Sequence, residues 1–162
     1  MKYITIFADA SHCQHSKAAG IAVWARDVDK FYHVSQPLTF TLPGSVQAEM
    51  LALGTGILSV IREFDHQPGD RLSIQSDCKN ALDLFAPVME CKKLYPFASS
   101  LRERVLEAVE QAGLVLCPKH VKGHQGNRDA RSAINTWCDK QARAQMHRAR
   151  NMIYVPQNDS IS

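Results

Sequence analysis

The sequence predicts an α/β domain with the element order β-β-β-α-β-α-α-β-α, and three observations carry that prediction. Short runs rich in β-branched and aromatic residues, such as Tyr3-Ile4-Thr5-Ile6-Phe7 and Gly20-Ile21-Ala22-Val23-Trp24, read as strands. Residues from Val46 to Ile61 are instead apolar on nearly every face, the mark of a largely buried helix. Breaks containing Pro and Gly then separate the later strands from helices. At 162 residues, 45% hydrophobic and 22% charged, the chain suits one domain that buries about two thirds of its unfolded surface.

Taken in order, Lys2 to Phe7 is the first expected strand, Gly20 to Trp24 the second and Phe31 to Gln36 the third. Arg26 to Lys30 makes the polar turn between the last two, and Pro37, which has no N–H to give a ladder, stops the third. After Pro43-Gly44, Ser45 is expected to cap a helix running to about Phe64. Pro68-Gly69-Asp70 precedes a fourth strand, Leu72 to Gln75, and Ser76-Asp77 opens a short helix ending near Pro87. Ser99-Ser100 caps the next helix, which reaches Gln111 with Gly113 as its stop. Leu114 to His120 is the fifth strand, Lys122 to Asn127 a polar loop flanked by glycine, and Ser132 to Arg148 the last helix. The domain is expected to span residues 1–150, with 151–162 a mobile C-terminal tail, because that stretch lacks helical periodicity.

No apolar run approaches the ~20 residues of a membrane helix, and the N-terminus lacks the apolar core and cleavage site of a signal peptide. Five cysteines with no CxxC pair suit reduced thiols, so the expected setting is cytoplasmic and without disulfides. Net charge is +3, a weak argument for an anionic partner. The distribution says more: eight Lys or Arg between Lys119 and Arg150 face only Asp129 and Asp139. That basic third suits either an anionic partner or a solvated helix face.

Four carboxylates stand where unpaired charges are costly. Asp9 ends an apolar run and also fits a turn. Glu49 is the only charged residue between Val46 and Ile61. Asp77 follows another apolar run and also fits a helix cap. Asp139 lies four residues after Asn135, so the two share one helix face, while Trp137 and Cys138 point toward the core; its alternative is a surface Asp near Arg143. Strands ending in Asp9 and Asp77, with helices bearing Glu49 and Asp139, would gather hard oxygen ligands of the kind Mg²⁺ favours. Cys117, His120, His124 and Cys138 offer a softer set at zinc-like spacing. The oxygen set is preferred, since Cys117 and His120 lie along an expected strand and a core cysteine usually behaves as a small hydrophobe.

These motifs resemble those of type 1 ribonuclease H. Phe7-Ala8-Asp9-Ala10-Ser11 is similar to that family's first-strand motif, Ala48-Glu49-Met50-Leu51-Ala52-Leu53 to its helix Glu, and Ile74-Gln75-Ser76-Asp77 to its Ser-Asp strand end. Val121-Lys122-Gly123-His124 resembles the catalytic-histidine loop, and Asn135-Thr136-Trp137-Cys138-Asp139 the final Asp. The resemblance covers residues 2 to 148. It implies a ribonuclease H-like fold, a mixed five-stranded sheet with the first three strands antiparallel, flanked by helices. It also implies an endonuclease that hydrolyses the RNA strand of an RNA/DNA hybrid with two Mg²⁺ ions, or Mn²⁺, leaving 5′-phosphate and 3′-hydroxyl ends. By the same resemblance Asp9, Glu49, Asp77 and Asp139 hold the metals, and His124 assists proton transfer or product departure. Asn135 would help place the water or His124. Ser11, Ser45, Gln47, Lys79, Asn80 and Lys122 are candidates for contact with the hybrid, the RNA being told from DNA by its 2′-hydroxyls. No obligate protein partner is evident, so a monomer is expected.

The chain departs from the family pattern in places. Ser45-Val46 stands where an Asn-Gln type pair is common, His12-Cys13-Gln14-His15-Ser16-Lys17 replaces a glycine-rich hairpin, and of a basic protrusion only Cys91-Lys92-Lys93-Leu94-Tyr95 stands. The alternatives are a non-catalytic hybrid-binding module, or another nuclease of the same fold acting on DNA. Proofreading enzymes carry Asp-x-Glu where this chain has Asp9-Ala10-Ser11, and integrases end their set with Glu where it has Asp139.

Overall fold

The computed structural model describes residues 1–86, 96–123 and 126–154. Its elements are β1 (Tyr3–His12), β2 (Ala19–Arg26), β3 (Phe31–Pro37), α1 (Ser45–Glu63), β4 (Arg71–Ser76), α2 (Lys79–Leu84), α3 (Pro96–Ala112), β5 (Val115–His120) and α4 (Ala130–Tyr154). The five strands form one sheet in the order β3-β2-β1-β4-β5. β1, β2 and β3 are antiparallel neighbours, whereas β4 pairs parallel with β1 and β5 parallel with β4. The expected mixed sheet is therefore the observed one.

Alternation along the strands divides the core into two layers. Ile4, Ile6 and Ala8 of β1, with Ile21 and Val23 of β2 and Leu72 and Ile74 of β4, face α1, α2 and α3 in the larger cluster. Phe7 and Ala22 face the other way, onto Cys138 and Ala142 of α4. The aliphatic side chains of the first layer are essentially all buried, at roughly 1.5–3 kcal/mol of favourable transfer for each large one. This burial explains why α1 is apolar on nearly every face. α4 lies across β1, β2 and β3. Its closest approach is at Gly20, where a Cβ would sit 2.3 Å from the Met146 amide nitrogen and 2.5 Å from the Ala142 carbonyl oxygen.

Several boundaries differ from expectation for identifiable reasons. β1 runs on past Phe7 to His12 because Ser11 and His12 pair with Gly20 and Ala19 of β2. Gly44 is the N-cap of α1, and Ser45 is its first helical residue; no side-chain cap is made. α2 begins at Lys79 with Cys78 as its cap, so Asp77 precedes the cap. α3 starts at Pro96, and Ser99-Ser100 lie within it; proline is favoured at a first helical position. Its C-terminus is the expected one. Gly113 has φ +68°, and the Leu114 and Gly113 amides donate to the Val109 and Glu110 carbonyls at 3.0 Å each, a Schellman closure. α4 starts at Ala130, two residues before the expected Ser132, because Asp129 caps it: its Oδ1 accepts the Ser132 N–H at 2.7 Å. α4 continues beyond Arg148 to Tyr154, so the expected tail loses its first residues to the helix, and the rest lies outside the described residues. No helix among the described residues is long and apolar enough to cross a membrane.

Candidate active site

The sheet itself brings Asp9 and Asp77 level. Phe7 of β1 stands opposite Gln75 of the parallel β4, so two residues further along each chain the two carboxyls reach the same end of adjacent central strands. Glu49 comes in from the start of α1. One carboxyl oxygen from each of Asp9, Glu49 and Asp77 lies within 4.8 Å of the other two.

This crowding has an electrostatic signature. Asp9 is 3% exposed. Its Oδ1 accepts the Ala10 N–H at 2.9 Å, but its Oδ2 and Oε2 of Glu49 are buried with no donor supplied by the rest of the chain. Burial first, and then the charge of Asp77, raises the Asp9 carboxyl from the usual 3.8 to about 7. Burial and then Asp9 push Glu49 well above its usual range. Buried oxygens that lack donors, in a set that repels itself, match what a divalent cation needs: hard oxygen ligands whose charge it neutralises. Asp9, Glu49 and Asp77 are the residues that would hold it.

Asp139 does not join that trio. It stands on α4 and lines a cavity of about 250 Å³ with Asp77, Asn135, Thr136 and Gly126. Its Oδ2 accepts a hydrogen bond from Arg143 Nη2 at 2.7 Å. An exposed pair at this i,i+4 spacing contributes only ~0.3–0.5 kcal/mol, so Asp139 is easily drawn off it. Asn135, one turn earlier and 5% exposed, shares its cavity-facing side as the spacing predicts. Asp139 thus makes the surface pair with Arg143 that was its alternative, and also lines the cavity beside Asp77.

The segment after β5 is laid against Asp77. The Val121 N–H donates to the Ser76 carbonyl at 2.9 Å, and the His120 ring meets the Asp77 carbonyl through Nε2 at 3.0 Å. A Cβ on Gly123 would lie 2.9 Å from Asp77 Oδ2. His124 follows directly in the chain but lies outside the described residues, as do Cys91 to Tyr95. Gly123→Ala is expected to displace the Asp77 carboxylate and lower the rate of any reaction there by roughly 10²-fold, the scale of an ångström-sized misplacement. Turnover assayed beside a thermal melt checks this, because the melt should move little.

The candidate contact residues divide between two hollows. Ser45, Gln47 and Asn80 line a groove of about 490 Å³ with His12, Gln14 and Lys17. In the sequence these last three stand out only as part of the polar run that replaces a glycine-rich hairpin. His12 is held there by a 2.7 Å hydrogen bond between Nε2 and the Leu42 carbonyl. Lys122 and Asn135 line a separate hollow of about 410 Å³ with Arg128 and Ser132. Ser11 sits on β1 opposite Gly20, and Lys79 is exposed at the start of α2; neither lines these walls. The zinc alternative finds no support. Cys138 is buried with its Sγ toward the Phe7 carbonyl, and Asp9, Glu49 and Asp77 are the only convergent set of metal-ligating side chains among the described residues.

No protein-family profile and no curated protein matches the sequence. Solved structures do. The N-terminal RNase H domain of a Mycobacterium tuberculosis protein superposes with a TM-score of 0.72 at 15% identity, covering 94% of this chain and 99% of that one. RNase H1 of the archaeon Halobacterium salinarum gives 0.67 at 15% identity, over 91% and 99%. LC11-RNase H1, in complex with an RNA/DNA hybrid, gives 0.65 at 16% identity, over 90% and 98%. At such identities the likeness is one of architecture, end to end along the chain, and it establishes that this protein has the ribonuclease H fold.

Proposed function

We propose that the protein is a metal-dependent endonuclease that hydrolyses the RNA strand of RNA/DNA hybrids, leaving 5′-phosphate and 3′-hydroxyl ends. The observation that carries this reading is the trio Asp9, Glu49 and Asp77, with two buried oxygens for which the rest of the chain supplies no donor. Two bound Mg²⁺ ions, or Mn²⁺, would supply an activated water and charge stabilisation of the leaving oxygen. The chain's own part is to fix the acceptors. β1 and β4 set Asp9 against Asp77, α1 adds Glu49, and α4 presents Asp139 and Asn135 across the adjoining cavity. Asp139, held by the hydrogen bond from Arg143, would be a further acceptor for such an ion.

In this reading His124, which follows the glycine packed on Asp77, moves a proton or helps product leave, as suits a side chain that titrates near neutrality. Ser45, Gln47 and Asn80 read 2′-hydroxyls from one groove, with Ser11 and Lys79 nearby in the chain, while Lys122 steadies phosphate from the other. We place the protein as a monomer in a reducing, cytoplasmic setting, consistent with the free thiols of Cys13, Cys78, Cys117 and Cys138.

The test is incubation with end-labelled RNA/DNA hybrid, duplex DNA, duplex RNA and single-stranded RNA in Mg²⁺ and in Mn²⁺, alongside Asp77→Asn. Cutting of the hybrid's RNA alone, abolished by EDTA and by the substitution, is the expected result. Cutting of duplex DNA would favour another nuclease of the same fold. Binding without cleavage in either metal would overturn the enzyme and leave a hybrid-binding module.

A further inference from the structure

The sheet face that carries α4 is not fully roofed. Beyond the first turn of the helix it opens into a hollow of about 440 Å³, floored by Thr5, Phe7, Trp24 and Gln75 and rimmed by Arg26 and Arg131. This volume falls within the roughly 300–1,000 Å³ typical of small-ligand sites. None of these residues belongs to the carboxylate trio.

The lining has a definite chemistry. Trp24 is fixed edge-on between Phe7, at 5.8 Å, and Phe31, at 5.5 Å, so the indole is presented in one orientation. Gln75 is 5% exposed; its Nε2 donates to the Ser73 hydroxyl at 3.2 Å while its Oε1 has no partner. If the amide is turned over, the other end lacks the partner instead, so one polar atom beneath the floor stays unsatisfied either way. Asp27 also borders the hollow, but its carboxylate is already engaged by Lys2 and by the Asp29 and Lys30 amides. The rim charge toward a ligand is therefore that of two exposed arginines. A fixed aromatic plane, an amide with one end unpaired and two guanidinium groups are the complement of a planar, hydrogen-bonding ring joined to an anion.

The hollow also shares walls with the cavities that lead toward the carboxylates. Arg131 lines both it and the hollow holding Lys122 and Arg128, and Asn135 lines that second hollow and the cavity of Asp77 and Asp139. Lys122, Arg128 and Arg131, with Asp129 among them capping α4, thus line the start of that helix between the carboxylates and Trp24, three cations to one anion along the way a single-stranded backbone would take.

We infer that the Trp24 hollow binds a nucleotide, its base against Trp24 and Gln75 and its phosphate between Arg26 and Arg131. The base is that of an unpaired residue in a strand leaving the carboxylate site, or of a free mononucleotide. The first source rests on the hybrid reading proposed above; the second does not.

The test uses full-length protein in two arms, each with wild type and with the surface double variant Arg26→Ala/Arg131→Ala. In the first arm, tryptophan fluorescence in a Trp137→Phe background is followed as a nucleoside 5′-monophosphate is added. In the second, a catalytically silent Asp77→Asn form is titrated with a blunt RNA/DNA hybrid and with the same hybrid bearing a single-stranded overhang. For an overhang ligand we expect roughly tenfold tighter binding of the overhung hybrid than of the blunt one, a ratio that falls to about one in the double variant whatever that variant does to blunt-hybrid affinity. Such a gain is within the range one stacked base contributes. Saturable quenching of Trp24 that the double variant abolishes, with no overhang effect, assigns the hollow to free nucleotide. Absence of both effects overturns the inference. Failure of hybrid cleavage alone would leave the quenching arm intact, so the two readings fail separately.

Discussion

Asp9→Asn is expected to abolish cleavage while making the metal-free protein more stable at pH 8 than the wild type. The sign follows from the direction of the shift. The folded state holds the Asp9 proton up to about pH 7, whereas the usual value is 3.8. Between those values the folded chain binds more protons than the unfolded one, so stability falls as pH rises through the window. At ~1.4 kcal/mol per unit, the loss by neutral pH approaches about 4 kcal/mol. An amide in the same place carries no charge to bury and none to repel Asp77. The raised pKa of Glu49, to which Asp9 contributes after burial, should relax as well. Yet the substitution removes an anionic ligand from the trio. Interactions worth several kcal/mol in the transition state correspond to a loss of about 10³-fold or more in rate. Thermal melts from pH 4 to 8, with EDTA and with Mg²⁺, read both effects. Wild type should lose stability toward pH 8 and regain it with the cation, and the variant should do both to a smaller extent, because burial still raises the pKa of Glu49. A variant less stable than wild type at pH 8 in EDTA would refute the electrostatic account.

Gly20→Ala is expected to be the most damaging single methyl in the chain. Its Cβ would meet α4 backbone at 2.3 to 2.5 Å, and backbone in the middle of a packed helix has no rotamer by which to yield. Overpacking in a core costs ~1–3 kcal/mol even where side chains can adjust, so at least the upper end applies here. For a chain of this size that corresponds to a fall of roughly 10 °C in Tm. Because α4 carries Asn135 and Asp139, its displacement should also lower turnover at temperatures where the variant is still folded. Gly54→Ala is the control. Its Cβ meets only the end of the Leu101 side chain, at 2.8 Å, and alanine gains ~0.5–1 kcal/mol over glycine inside a helix. That variant should melt close to wild type. Equal melting of Gly20→Ala and wild type would mean that α4 does not press on β2 as described.

What the sequence made legible was what a carboxylate costs. Glu49 stands out because every neighbour along its helix argues for burial, and Asp9 and Asp77 because apolar runs deliver them to strand ends. The sheet order followed from the family resemblance, since strand runs alone do not say which edges pair. The helix starts differ where the cap is a backbone matter. Gly44 and Cys78 cap without a side-chain bond, and no propensity scale ranks them above Ser45 or Asp77. The rest was tertiary. Nothing local to Gly20 announces a helix pressed upon it from Ala142 to Met146, and nothing local to Gln75 announces that Thr5, Trp24 and Arg131 close a hollow around it. Nor does the i,i+4 spacing of Asp139 and Arg143 tell whether the carboxylate joins the trio or stands apart from it.

The pairing of β1 with both β2 and β4 also sets an order in time. The turns joining β1, β2 and β3 are short, so those ladders close at small entropic cost, while Phe7 reaches Gln75 only across the whole of α1. Closing that longer loop is slower. The contact between Cys138 and Phe7 spans 131 residues and waits for nearly all of the chain. Asp77 reaches Asp9 by the first of these closures, and Glu49 by the packing of α1 on β1. The antiparallel half of the molecule can form with Asp9 as its one member of the trio, and the set is complete only once α1 and β4 close on β1.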